Sequence, residues 1–403
     1  TLHCNEMAES RVLRTALSSQ DPYRIASALD LPAINSVQTK ATLKKHGEKL
    51  TIGNIDWSGV LNHYLDACDA AKAGDAEQCY QSQSSLHSSL NQIFGSSSGN
   101  WLVPALHTIC RNTHVTADSA DKATSRDHSK LQNAVNLLQE SFSRCLNDRK
   151  EHTPGAVLSE DGSKKAGVLY IVNQLFAMYF KLNTLRLCKN LLRPVESRGL
   201  HLSGDMGDVV TYRYYVGRLY MFEDQYELAE SNLEFALIHC HKSASKNKKC
   251  ILRYLVPVKL FRGRLPTSAL IKKYELNEFK PLVNSIRTGD LRTFNDGLVK
   301  YQDLFIRRGI YLLLEKCKTV CYRNLIKRVH SVIGNPHLSL TDLAKSFKWL
   351  GMEIDLDEIE CILANLIYRG YIRGYISHTK RTLVLSKSNP FPTSAIIVPA
   401  TSA

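Results

Sequence analysis

Asp355-Leu-Asp-Glu-Ile-Glu-Cys-Ile-Leu-Ala-Asn-Leu-Ile-Tyr-Arg-Gly370, followed directly by Tyr371-Ile-Arg-Gly-Tyr-Ile-Ser-His-Thr-Lys-Arg-Thr-Leu-Val-Leu-Ser386, is the stretch that decides the fold. Its first half reads as an amphipathic helix. Asp355 with Glu358 three residues on is a capping-box variant in which Asp is the cap. Ile359, Ile362, Leu363, Leu366 and Ile367 recur at i, i+3, i+4, i+7 and i+8, which is one apolar face, and Gly370 closes the helix. The second half holds two β-rich runs, Tyr371–Ser377 and Thr382–Ser386, joined by the polar turn His378-Thr-Lys-Arg381.

Working upstream, Thr341 can cap a short helix that reaches Leu350 and ends at Gly351. Asn324–Ile333 is helical up to the stop signal Gly334-Asn-Pro336. Helix, helix, helix, hairpin is the order of a winged helix, spanning about 319–388. A winged helix suggests DNA reading, yet Asp357, Glu358 and Glu360 crowd the N-terminal turn of the third helix. That turn meets base edges in helix-turn-helix readers, and three carboxylates there would repel phosphate. Sequence-specific recognition by this helix is therefore not expected. The cations Arg323, Lys327 and Arg328 on the first helix, with Lys380 and Arg381 at the hairpin tip, can grip a nucleic-acid backbone without reading sequence.

Before the winged helix the pattern is almost entirely helical. Helices are expected at Trp57–Ala73, Ala76–Phe94, Trp101–Arg111, Lys130–Leu146 and Ile306–Cys317, with loops at Gly95–Gly99 and from Pro154 to Gly162. Residues 208–241 can be laid against the tetratricopeptide pattern, a helix–turn–helix unit of about 34 residues. Gly217, Tyr220, Ala229 and Ala236 fall at its Gly, Tyr and Ala positions and Leu233 at its Phe position, while Arg213 replaces the leading Trp. A second copy lies about 41 residues upstream, with Tyr179, Cys188 and Leu192 matching Tyr220, Ala229 and Leu233. Small residues let paired helices approach closely, Tyr220 fills the gap between them, and the repeat predicts a solenoid of antiparallel helix pairs.

The chain has 403 residues with a formal net charge of +14, unevenly placed: residues 1–240 sum to −2 and 241–403 to +16. Runs such as Lys242/Lys246/Lys248/Lys249, Arg307/Arg308 and Arg323/Lys327/Arg328 favour a polyanionic partner. No apolar run reaches the roughly 18 residues of a membrane span, so no membrane insertion is expected. The opening Thr1-Leu-His-Cys4 has neither an initiator Met nor signal-peptide architecture and reads as a fragment of a soluble intracellular protein. The 11 cysteines are scattered without a CxxC pair. Cys317 and Cys321 share a helix face but lack a second pair, so no metal or other cofactor is expected. Phosphate-binding Gly loops, GxSxG and HExxH are absent, and no catalytic residue is assigned.

Helical repeats running into a winged helix are the layout of PCI domains. The strings Val172-Asn-Gln-Leu-Phe-Ala-Met-Tyr-Phe-Lys-Leu-Asn183, Thr211-Tyr-Arg-Tyr-Tyr-Val-Gly-Arg218, Leu255-Val-Pro-Val-Lys259, Cys361-Ile-Leu-Ala-Asn-Leu-Ile-Tyr368, Gly374-Tyr-Ile-Ser-His378 and Lys387-Ser-Asn-Pro-Phe-Pro392 resemble the PCI-domain-containing protein 2 family. The resemblance implies a mainly α fold in four parts. These are an N-terminal helical region (1–165), tetratricopeptide-like repeats (166–318), a winged helix (319–388) and a tail (389–403). It implies a non-enzymatic subunit of a transcription-and-export complex at the nuclear pore, with a cytoplasmic pool as a further location. Its implied partners are a large Sac-type scaffold, of the germinal-centre-associated nuclear protein type, and a small acidic DSS/Sem-type subunit. Winged helices side by side would bind RNA or double-stranded DNA without sequence specificity. Asp357, Glu358, Glu360 and Tyr368 on the third helix are the candidates for partner contact. The alternative is a purely structural PCI subunit of a signalosome- or proteasome-lid-like assembly, whose basic half serves acidic protein partners.

Overall fold

The computed structural model describes residues 17, 19, 21–31, 51–52, 55–124, 128–152, 158–159, 161–202 and 204–392. Cys4, most of the first fifty residues, the Pro154-Gly155 loop and the tail beyond Pro392 lie outside them. The chain divides into two compact units, Thr1–Tyr215 and Val216–Ala403.

The first unit is a run of antiparallel helices. α1 (Pro22–Ala28) and a small hairpin, β1 (Thr51–Ile52) with β2 (Ile55–Asp56), precede α2 (Ser58–Ala73), α3 (Ala76–Ser96), α4 (Val103–Ala123), α5 (Ser129–Leu146), α6 (Val168–Lys181) and α7 (Cys188–Ser197). From α2 to α6 each helix packs on the next. The expected helices are present, but the one starting near Trp101 continues to Ala123, because Ala117 and Ala120 keep an inward face that polar neighbours obscure in the sequence. In the upstream repeat Tyr179 and Cys188 are buried, whereas Leu191 rather than Leu192 completes the inner face with Val195, at i, i+3 and i+7 from Cys188.

The core of this unit holds a polar seam. His87 on α3 is fully buried; its Nδ1 lies 3.0 Å from Thr113 Oγ1 and its Nε2 2.8 Å from Ser141 Oγ, which also donates to Asn91 Oδ1 at 2.7 Å. One imidazole thus joins α3, α4 and α5. Burial pushes its pKa down to about 3. The unfolded chain binds a proton at a pKa of about 6.5, so this histidine's contribution to stability is complete above that pH and falls away as pH drops below it. By pH 5 the loss is expected to be about 2 kcal/mol. Urea titrations of wild type and His87→Gln between pH 7.5 and 5 check this: the wild type must weaken more steeply, and parallel curves would refute it.

α8 (Met206–Phe222) carries the boundary between the units, which falls after Tyr215. The second unit continues with α9 (Tyr226–His239), α10 (Ser245–Phe261), α11 (Ser268–Lys273), α12 (Lys280–Thr288), α13 (Leu291–Lys300), α14 (Gln302–Arg307) and α15 (Tyr311–Lys316). Gly217 meets α9 as the repeat pattern requires: a Cβ there would lie 2.7 Å from Leu233 Cγ and 3.2 Å from the Ala229 carbonyl. Tyr220 is only half-buried; Tyr226 is the buried ring, 4.5 Å from Phe261 between ring centroids. The single helix expected over Ile306–Cys317 is two helices. Gly309, at φ +68°, ends α14, with its N–H on the Ile306 carbonyl and that of Ile310 on Phe305, a Schellman turn.

The winged helix closes the second unit: α16 (Lys318–Ile333), β3 (His337–Ser339), α17 (Leu340–Trp349), α18 (Leu356–Tyr368), β4 (Gly374–Ser377) and β5 (Thr382–Leu385). The sheet order is β3-β5-β4, antiparallel throughout, with Leu338 opposite Leu383 and Tyr375 opposite Val384. β3 is an addition to the expected hairpin; three residues after a helix stop are too few to show alternation. Ser339, not Thr341, caps α17, because Leu340 is already helical and the Thr341 N–H reaches Ser339 Oγ at 3.3 Å. The strand expected from Tyr371 begins at Gly374; Tyr371 and Ile372 are core residues whose N–H groups cap α18 on the Leu366 carbonyl.

Candidate nucleic-acid and partner face

The wing and the third helix are built from opposite charges. Asp355 Oδ1 accepts the Glu358 N–H at 2.6 Å, the cap expected of its position, and this fixes Asp357 and Glu358 on the exposed first turn of α18. Across from that turn lies the β4–β5 hairpin. Arg381, itself left-handed at φ +48°, gives its carbonyl to the Leu340 N–H and its N–H to the His378 carbonyl, which pins the turn beside α17. From there Arg381 Nη1 reaches Asp357 Oδ1 at 2.8 Å, and His378 Nδ1 lies 2.8 Å from Glu360 Oε2. The wing therefore folds its own basic groups over the acidic helix start. Phosphate repulsion at that turn is reduced, and Arg381 is engaged within the domain. A pair this exposed contributes at most about 1 kcal/mol and can be exchanged for a partner.

Arg323 sits elsewhere. Its Nη2 donates to the carbonyls of Phe391 and Pro392 at 2.9 Å each, its Nη1 donates to Asn324 Oδ1, and its guanidinium faces the Phe391 ring at 5.8 Å. Burial lowers its pKa from the usual arginine value. This arginine fastens the chain after β5 onto α16, and His330 adds a ring contact to Phe391 at 5.8 Å. Lys327 and Arg328 on α16 and Lys380 at the hairpin tip are exposed and carry no ion pair among the described residues. Tyr368 ends α18 and is 70% exposed. The nine candidates thus occupy four places: the α16 face, the Arg323 clasp, the wing–helix junction at the start of α18 and, for Tyr368, the far end of that helix.

Sequence reasoning passed over the neighbours of these residues. Trp349 at the end of α17 is 84% exposed, and Tyr375 on β4 is also open. Between α17 and α18 an open groove is lined by Lys345 and Lys348 together with Glu353 and Asp355, around Met352 and Ile354. Trp349 stands two residues past Phe347, off the face set by Leu340, Leu343 and Phe347, and that off-face aromatic was a readable signal. Among the described residues no group of His, Cys, Asp and Glu could hold a metal ion, and no helix is long and apolar enough to cross a membrane.

Residues 298–387, from the end of α13 through β5, match the PCI domain. PCI domain-containing protein 2 of Xenopus laevis is 35% identical over 94% of this chain and 96% of its own length. The chain belongs to the PCI domain-containing protein 2 family. Its Danio rerio relative of the same name is 41% identical over 73% of each chain. A Neurospora crassa protein named Protein CSN12 homolog is 32% identical over 96% of this chain and 99% of its own. PCI domain proteins are generally non-catalytic scaffold subunits, and a mainly helical fold with the PCI domain at the C-terminal end is shared by this member of the family.

Proposed function

We propose that this chain is a non-enzymatic scaffold subunit of a nuclear, pore-associated transcription-and-export assembly. Its winged helix pairs with that of a large Sac-type scaffold, of the germinal-centre-associated nuclear protein type, a small acidic DSS/Sem-type subunit joins them, and the pair grips RNA or double-stranded DNA through its backbone. The observation that carries the reading is a winged helix that leaves Lys327, Arg328 and Lys380 exposed while its wing sets Arg381 against Asp357 at the acidic start of α18. Asp357, Glu358, Glu360 and Tyr368 are proposed to meet the scaffold: the Arg381–Asp357 pair is exchangeable, and Tyr368 offers a large amphipathic surface.

The test is binding of the assembled complex to nucleic acid across a salt series, with wild-type chain or with Lys327→Glu/Arg328→Glu/Lys380→Glu. Arg323 and Arg381 are left intact because both are already engaged within the domain, Arg323 with the Phe391 and Pro392 carbonyls and Arg381 with Asp357. The triple variant is expected to assemble normally and to bind RNA with a log–log salt slope shallower by about 2. Equal binding by both complexes supports a second reading, a structural PCI subunit with no nucleic-acid contact. One observation favours that alternative: Arg323 and Arg381 are spent on internal contacts.

A further inference from the structure

We infer that one edge of the helical stack in the second unit is a track for single-stranded nucleic acid, separate from the winged-helix cations. Three connections of the stack, skipping those between α10 and α11 and between α12 and α13, meet on this edge. Lys249 in the first turns of α10 pairs with Glu275 just past α11 at 2.9 Å, which brings the α9–α10 turn beside the end of α11. Glu278, three residues further, pairs with Arg308 just past α14 at 2.7 Å. Phe279 stacks on Phe305 at 5.8 Å, and Tyr301 packs on Phe305 at 6.0 Å, so the end of α13 lies there too.

The charge of this edge is one-sided. Lys246, Lys272, Lys273, Lys300 and Arg307 are exposed and carry no ion pair among the described residues. Of the carboxylates near them, Glu275 and Glu278 are already bound to Lys249 and Arg308, which leaves Asp303 and, one turn before Lys300, Asp296 against five cations. The lysines at the start of α10 also stand at the positive end of its dipole, where cations are disfavoured until an anion approaches. A row of unneutralised cations along one edge, rather than a single cluster, suits a linear polyanion.

Aromatic rings alternate with these cations. Lys273 Nζ lies 5.5 Å from the Tyr274 ring, and Lys300 Nζ lies 5.5 Å from the Tyr301 ring, both rings half-buried. Cations that follow a backbone, with rings on which bases stack, are the recognition chemistry of single strands. Val299 and Ile306 are exposed beside this row, and the half-buried Tyr274 and Tyr301 rings lie against its cations, so charge and stacking faces occur together along the edge. Single-stranded nucleic acid is therefore the occupant the edge fits.

The inference rests on the proposal that the chain binds nucleic acid, and its test separates the two. The assembled complex is titrated into a labelled 20-nucleotide oligouridylate across a salt series. Three chains are compared: wild type, the winged-helix triple variant, and Lys246→Glu/Lys272→Glu/Lys273→Glu/Lys300→Glu. Circular dichroism melting confirms that each is folded. The edge variant is expected to bind at least about tenfold more weakly, with a log–log slope shallower by about 3. If it binds as wild type does while the triple variant fails, the edge inference is overturned and the winged-helix reading stands. A wild-type complex that does not bind at all defeats the nucleic-acid reading itself, and the edge with it. Displacement of the oligonucleotide by a 20-residue polyglutamate as readily as by unlabelled oligouridylate makes the edge an acidic-protein surface and also overturns the inference.

Discussion

Replacing Gly289 by alanine is expected to loosen the winged helix from the helical stack at a cost of about 4 kcal/mol. Gly289 ends α12 at φ +72°, and a Cβ built on it would lie 2.5 Å from Leu325 N and 2.7 Å from Leu325 Cα. Both are backbone atoms of α16, which cannot swing aside as a side-chain tip would. The surrounding contacts depend on the same approach: Asn324 Nδ2 donates to the Ile286 carbonyl at 2.7 Å, and the Cys321 thiol to that of Ser285 at 3.4 Å. Two costs combine, a left-handed residue with a side chain and the parting of two packed helices. Gly334→Ala isolates the first. Gly334 ends α16 at φ +69° with nothing within 4 Å of an added Cβ, so its expected cost is only about 1 kcal/mol. Urea unfolding and hydrogen exchange over residues 318–349 distinguish them. Equal losses for the two variants would show that the close approach at Gly289 contributes nothing.

The contrast between those two glycines shows how far the sequence could be read. Each looks like a helix stop, and each is one, because punctuation is local chemistry. That Gly289 also touches Leu325 depends on where the chain returns, which no local pattern encodes. The same division runs through the rest of the fold. The Asp355 cap, the apolar stripe of α18 and the close approach at Gly217 were legible because their partners lie within a turn or one repeat. β3 was not, since a three-residue strand becomes recognisable only beside β5. Among the site residues, the charges were visible but their use was not. Arg323 reads as a surface cation until Phe391 and Pro392 arrive 68 and 69 residues later to take its donors. The opposite signs of the His378–Arg381 turn and the start of α18 did stand in the sequence, and pairing them needed only the expectation that a wing folds back on its helix.

Glu230→Ala is the second large effect, expected to destabilise the stack around α9 and α10 by about 3 kcal/mol. Glu230 lies on α9 with its side chain 3% exposed, between two arginines from the turn after α10. Arg262 Nη1 donates to Oε2 at 2.7 Å and Arg264 Nη1 to Oε1 at 2.8 Å, so both carboxylate oxygens are satisfied. Arg262 is itself mostly covered, and its other contact, Glu227 at 3.1 Å, is largely in water. Removing Glu230 strands the Arg262 charge in a poorly solvated place, and that is where the cost arises. The pair is not for that reason a net source of stability, because desolvating both charges opposes their attraction. Glu230→Leu combined with Arg262→Met removes both charges and keeps the volume, and it is expected to recover most of the loss. Hydrogen exchange over residues 226–261 in the two variants reads the difference. If the double variant is as unprotected as the single one, the carboxylate does more than neutralise Arg262, and its hold on Arg264 must be what orders the turn after α10.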